Sequence, residues 1–406
     1  MSKPIQHHEQ YSPKKSSLVS LLSFALAFVD ALILYTISSF IETTLGTQYI
    51  GAAYFIAFGI HLILLLNLQG TIRKIGKIRY LLLCLGLAAA AVGILPSISD
   101  GLKGVALAVA FLAFSNTAWV ALDVILEGYS KDQLSGRIRG LHLTIVSIGF
   151  LLTPYLATRI LDAHGYAAVF LIVFIGYATI LLMATVLFRF DNHTEQPKIR
   201  LWSALQEVSG NTDLRSIFIV SLALEFFYTI MVIYMPIHLQ HLGFAWTEIG
   251  IIFTIMLLPF VFLQYPIGLL ADKRYGEKEL LALCLLITTA AMVGVATYSE
   301  KHLLAWGAIL FMTRVGIAGI EVLRDSYFYK QIDGDDIHII AFFRMARPVA
   351  SMAGAVIAVI TLSFFQLPAL FIAVIVGLFL ALFQVFRLKD TESEYDIANK
   401  ASVTPV

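Results

Sequence analysis

The chain has 406 residues, of which 59% are hydrophobic and 14% charged, with a mean hydropathy of +0.84. Soluble domains are about 45 to 50% apolar and about 25% charged, so this composition excludes a water-soluble fold and places the chain in a lipid bilayer. A net charge of +1 gives no electrostatic case for a nucleic-acid partner, and the two cysteines, Cys84 and Cys284, each inside an apolar run, exclude a disulfide framework and a cysteine metal site.

In chain order, residues 1–16 form a polar tail carrying His7, His8, Lys14 and Lys15. The apolar segment behind it is too long for a signal-peptide core, so it is expected to stay as a first membrane span. A hydrocarbon core of about 30 Å needs about 20 apolar residues per helix. Cutting the chain at polar or glycine-bearing breaks yields twelve spans, at 17–42, 47–69, 79–97, 102–128, 138–162, 164–189, 214–240, 245–270, 278–298, 302–330, 337–364 and 367–388. The first six make one bundle, 17–189, and the last six a second, 214–388. Between them lies a charged linker, 190–213, whose LWSALQEV at 201–208 is amphipathic and suits a helix on the membrane surface. Residues 389–406 form a second polar tail.

Lysine and arginine are retained on the cytoplasmic side of a membrane, which provides an independent check on the count. Of 28 such residues, Lys103, Arg159 and Lys301 lie in or near loops on one side and Arg314, Arg344 and Arg347 deeper within spans; the other 22 lie in or near the segments on the other side, with both tails. The expectation is a multi-pass plasma (inner) membrane protein with cytoplasmic termini. On that side the Asn192-His193-Thr194 sequon would go unused.

The two bundles are a repeat. DVILEGYSKDQLSG at 123–136 returns as EVLRDSYFYKQIDG at 321–334, with Val124, Tyr129, Gln133 and Gly136 matched by Val322, Tyr327, Gln331 and Gly334. Gly70 corresponds to Gly268, and Cys84-Leu85 to Cys284-Leu285. Parallel six-helix halves joined by a loop are one way to build a transporter.

This arrangement resembles the major facilitator superfamily. GLLADKRYGEK at 268–278 is similar to the superfamily's loop signature, with Gly268, Asp272, Lys273 and Gly276 in place. Its first-half counterpart, GTIRKIGKIR at 70–79, has Arg73 or Lys74 where the aspartate belongs. Gly140, Gly149 and Pro154 also resemble a motif of the proton-coupled drug antiporters, although Thr153, Ala157 and Thr158 replace its other glycines. The resemblance implies an all-α fold of two pseudo-symmetric six-helix bundles, with spans one, four, seven and ten around a central cavity. It also implies that span two packs on span eleven and span five on span eight.

On those spans, helical spacing gathers Asn116, Trp119, Asp123 and Glu127 on one face and Arg314, Glu321 and Asp325 on the matching face. Asp30 lies mid-span in the first helix, and Glu225, with Tyr228 one turn on, lies in the seventh. Charges at such depth cost at least about 2.5 to 3.5 kcal/mol unless paired or wet, so they mark function or a buried pair. Asp30 and Glu225 are the candidates for proton coupling, and Asn116, Trp119, Tyr228 and Arg314 for the solute cavity. The alternatives are that Asp30 only packs against a neighbouring helix and that Glu225 and Arg314 neutralise one another. His61 and His142 read as packed or hydrogen-bonded residues, and Arg344 and Arg347 as side chains that snorkel.

Around the cytoplasmic loops, Asp272 is expected to face Arg137 and Arg139, with Asp123 and Glu127 holding those arginines from their own half. The basic Arg73 loop is expected to face Asp333, Asp335 and Asp336. Together with Gly70, Gly268, Lys273, Gly276, Glu321 and Asp325, these residues would form a gate. No nucleotide loop, metal spacing or nucleophile motif is present, so no enzyme activity and no cofactor is expected. The expected function is secondary transport of a small solute by alternating access in a monomer, coupled to protons, with efflux of amphipathic compounds as one form. The alternatives are an uptake symporter or uniporter for a polar or anionic solute, and a transport-dead receptor or scaffold.

Overall fold

A computed structural model describes residues 13–98, 101–127, 145–151, 153–188, 201–332 and 337–390. Expectations for Arg137, Arg139, Gly140, His142, Asp333, Asp335 and Asp336 lie outside these residues, and so does the side chain of Glu127. All the regular elements described are helices. Hydrocarbon offers no water to backbone N–H and C=O groups, and a helix satisfies them within one segment.

Among the described residues, eleven helices are long and apolar enough to cross a membrane. One of them, Ile145–Leu187, has 43 residues, about 65 Å at 1.5 Å per residue and so about two bilayer cores. It breaks at Gly165, whose φ of 73° no other residue adopts without strain. Twelve crossings result. They are α1 (Ser17–Leu45), α2 (Thr47–Leu66), α3 (Lys77–Ser97), α4 (Gly101–Ile125), α5 (145–164), α6 (166–187), α7 (Thr212–His241), α8 (Trp246–Tyr275), α9 (Glu277–Thr297), α10 (Leu303–Lys330), α11 (Phe342–Phe364) and α12 (Pro368–Val385).

Breaks fall at corresponding places in the two halves. Helix α2 is interrupted at Asn67 and continues as Leu68–Ile75, and α8 is interrupted at Leu263, after Pro259, and continues as Gln264–Leu270. The turns that follow are made by Gly76, with φ 91°, and Gly276, with φ 73°. A Cβ at either turn would clash with its own backbone, which gives the second glycine of the loop signature a conformational reason.

Within the first half, α3 packs on α4 and α6; within the second, α9 packs on α10 and α12. Between the halves, α2 packs on α11 and α5 on α8, the pairing the sequence led one to expect. The linker helix, Leu201–Gly210, docks on α7 and on the Ile337–Arg344 helix that leads into α11. It does so through Ala204 and Val208, both buried, while Trp202 points away. Asn211 caps α7, its side-chain oxygen accepting from the Asp213 and Leu214 N–H groups at 2.9 and 3.3 Å.

Candidate functional site

The halves touch mainly at the end of the bundle away from the linker. There Gln240 on α7 donates to the Ser39 hydroxyl on α1 at 2.6 Å, and His241 meets Glu42 at 3.2 Å. Tyr35 on α1 packs on Phe253 on α8, ring centroids 4.7 Å apart. At the linker end, the Leu68–Ile75 and Gln264–Leu270 extensions pack against their own halves. Among the described residues these contacts seal the bundle at the far end.

On the first-half wall, Asp30 is buried and accepts three hydrogen bonds. Ser115 donates to Oδ2 at 2.8 Å, Trp119 Nε1 donates to the same oxygen at 2.6 Å, and the Tyr177 hydroxyl donates to Oδ1. Indole N–H is a donor only, so this nest is built for an acceptor. It ties α1 to α4 and α6, and the packing role weighed for Asp30 is realised in this geometry. Asp30→Ala should lower the thermal midpoint by several degrees, because three buried donors lose their acceptor at about 1 to 3 kcal/mol each. A midpoint within one degree of the parent's would show that the nest contributes nothing.

Asn116 turns its amide back to the Leu112 carbonyl at 2.7 Å, and Trp119 stacks on Phe150 with centroids 6.3 Å apart. His61 meets the Thr117 hydroxyl through Nδ1 at 2.9 Å, as a packed and bonded histidine does.

The second-half wall holds a denser cluster. Glu225 on α7 pairs with Arg324 on α10 at 3.4 Å, and Arg324 binds Asp325 through Nη2 at 2.8 Å and Nε at 2.9 Å. Glu321 accepts from Gln264 Nε2 at 2.8 Å and from the Tyr228 hydroxyl at 3.4 Å. Two carboxylates thus bind one guanidinium, and a third, Glu321, lies close enough to act on it electrostatically. The neutralising pair expected for Glu225 is corrected here: its partner is Arg324, which the sequence reading passed over. The signal was available, since Arg324 lies three residues after Glu321 and so on the same helix face.

Arg314 is 2% exposed, lies over the Phe227 ring at 4.8 Å, and has no bonded partner for Nη1. Its titratable neighbours are Tyr35 and Tyr228. It therefore sits behind the cavity wall in this state, enclosed where α1 closes on α7 and α10.

The Major Facilitator Superfamily family model matches residues 19–332 and again 217–405. The chain belongs to the major facilitator superfamily. Crystal structures of the nucleoside transporter NupG share its fold: one, of a single-substitution mutant, superposes with a TM-score of 0.70 at 14% identity, covering 92% of this chain and 99% of that one. A second NupG structure gives 0.68 at 15% identity, covering 92% and 98%. No curated protein sequence matches the chain.

Among the described residues the side-chain partners of the signature loop lie in its own half. Asp272 is exposed and pairs with Lys330 at 3.1 Å, not with a residue of the first half. Lys330 also binds Glu277, which is fully buried and accepts from Ser326 at 2.7 Å. Lys273 and Arg73 are exposed, and a Cβ at Gly70 would meet nothing within 4 Å. Near the linker end an ion pair crosses between the halves, joining Asp123 on α4 to Arg344 on α11 at 3.1 Å. It anchors an arginine expected to snorkel; the expected hold of Asp123 on Arg137 and Arg139 lies outside the described residues.

Proposed function

We propose that this superfamily member is a proton-coupled secondary transporter of a small polar solute, with the linker end in the cytoplasm. Transport by rocking of the halves follows from the family and fold; the coupling is carried by one observation, the cluster in which Glu225 and Asp325 bind Arg324 with Glu321 close by. Excess negative charge in a partly dry cavity is offset by a cation, and a proton is the smallest that fits between bonded side chains. Asp30, which already accepts three hydrogen bonds, is assigned to holding α1, α4 and α6 together.

Polar cargo is favoured over amphipathic cargo because the aromatics are engaged in packing. Phe226 is wedged against Gly354 and Gly377, and Phe227 lies under Arg314. Nucleosides, the cargo of NupG, are the first solutes to test.

The test uses purified protein in liposomes with an inward-acid or inward-alkaline gradient and labelled uridine, then a panel of polar solutes. Gradient-driven accumulation with matching proton flux is the expected result. Accumulation equal with and without the gradient would replace coupling by facilitated exchange, and silence across the panel would favour a scaffold.

The Asp123–Arg344 pair should bias the open-to-linker state only weakly, because partly exposed pairs contribute about 0 to 1 kcal/mol. Spin labels at the linker ends of α4 and α11 should report a modest widening in Asp123→Arg, reversed when Arg344→Asp is added. An unchanged distance distribution in both would remove the pair from the gate.

A further inference from the structure

We infer that Arg347 is the anchor for an oxyanion on the transported solute, a carboxylate or a phosphate group. This rests on the polar-solute reading above and extends it to a substrate class. At about 100° per residue, Arg347 shares a face of α11 with Ser351 and Gly354. Ser351 bonds the Thr229 hydroxyl on α7 at 2.8 Å, and Gly354 lies against Phe226 and Thr229. The bilayer-facing side is different: Val349, Val356 and Ile360 are exposed there, and Val349 is about 200° from Arg347. Arg347 is nonetheless exposed, so the space it meets is the cavity between the halves.

One turn further toward the linker, Arg344 reaches the first half at Asp123, which shows that this part of α11 faces α4. Arg347 is also close enough to Asp30 and His61 on α1 and α2 to act on both electrostatically. Neither bonds it directly: Asp30 accepts from three donors of its own, and His61 is bonded to Thr117. On α7, Glu225 lies one turn from Thr229, in the same direction as Arg347 from Ser351, but it is paired with Arg324.

Among the described residues Arg347 has no hydrogen bond and no ion pair. A guanidinium presents a planar fork of donors that matches a carboxylate or phosphate edge two bonds at a time. An unpaired fork inside a membrane cavity is costly to keep, which an arriving oxyanion would offset.

Binding of matched probes to the full-length protein in detergent tests this without any gradient. The probes are uridine 5′-monophosphate against uridine, and benzoate against benzamide, read by thermal stabilisation. The anionic member of at least one pair should bind about tenfold or more tightly. Arg347→Gln should abolish that preference and Arg347→Lys keep part of it, since the charge remains and the fork is lost. Equal binding of both members in each pair, or an unchanged preference in Arg347→Gln, would overturn the assignment. Should Arg347→Gln fold poorly, Arg347→Cys labelled with an aminoethyl thiosulfonate supplies the second measurement. Restoration of the anion preference by the cationic label, and not by a neutral one, supports the proposal; no restoration overturns it. Loss of proton-coupled uptake with anion preference intact would count against the function proposed above and not against this site.

Discussion

Gly51→Ala and Gly250→Ala will each shift the transporter away from the far-end-sealed state, with a population change of about five- to a hundredfold. The reason is contact geometry across the halves. A Cβ on Gly51 in α2 would lie 2.6 Å from Val359 Cγ2 and 2.9 Å from the Ala355 carbonyl oxygen in α11. On Gly250 in α8 it would lie 2.0 Å from the Thr158 hydroxyl, 3.0 Å from Tyr155 Cα and 3.1 Å from the Pro154 carbonyl oxygen in α5. Backbone stands behind both sites, so a rotamer change alone does not make room. Overpacking of this kind costs about 1 to 3 kcal/mol, and here it falls on the sealed state, in which these helix pairs meet.

Intrinsic propensity acts in the opposite direction, because alanine favours a helix over glycine by about 0.5 to 1 kcal/mol. Lost function in the alanine variants would therefore not come from a weakened helix. Spin-label distances across the far end should lengthen, and turnover should fall as resealing becomes the slow step. If both variants keep the parent's distance distribution and turnover, the glycines are not what lets the far end close.

Arg324→Ala will abolish proton-driven accumulation and lower stability together. Removing one member of a buried ion pair leaves the others uncompensated, at about 3 to 5 kcal/mol in a dry site. Arg324 is 11% exposed and its partners are partly wetted by the cavity, so the lower end of that range applies. Its removal takes away the cation that Glu225 and Asp325 bind, with Glu321 close by. Adding Glu225→Gln should recover part of the lost stability, with a coupling of about 0.5 to 3 kcal/mol between the two sites. Transport should not return, because the double variant has lost both the cation and one titrating acid. Glu225→Gln alone should keep solute exchange and lose accumulation. An Arg324→Ala protein as stable and as active as its parent would show that the cluster neither holds α7 to α10 nor couples transport to protons.

Much of the architecture was legible in the linear sequence because a bilayer imposes one-dimensional constraints. About 20 apolar residues per crossing, and basic residues held to one side, are properties of composition along the chain; no contact between helices is needed to read them. The repeat and the loop signature were equally local, and they led to the family. The azimuth of Asp123, Glu321 and Asp325 on their helices followed from spacing alone. What spacing does not contain is the identity of the neighbour opposite each face. Asp30 finds Tyr177 across 147 positions, and Glu225 finds Arg324 across 99, in the middle of segments whose own sequences carry no mark of the pairing. The same limit put Arg314 in the open cavity and left Arg344 without its partner Asp123. Only the packing of α1 against α7 and α10 buries the first, and only the approach of α11 to α4 carries the second across to Asp123. Which end of the cavity is sealed is likewise a tertiary property. Both states of an alternating transporter share one sequence and one set of helices, and they differ in contacts between halves separated by free energies of a few kcal/mol.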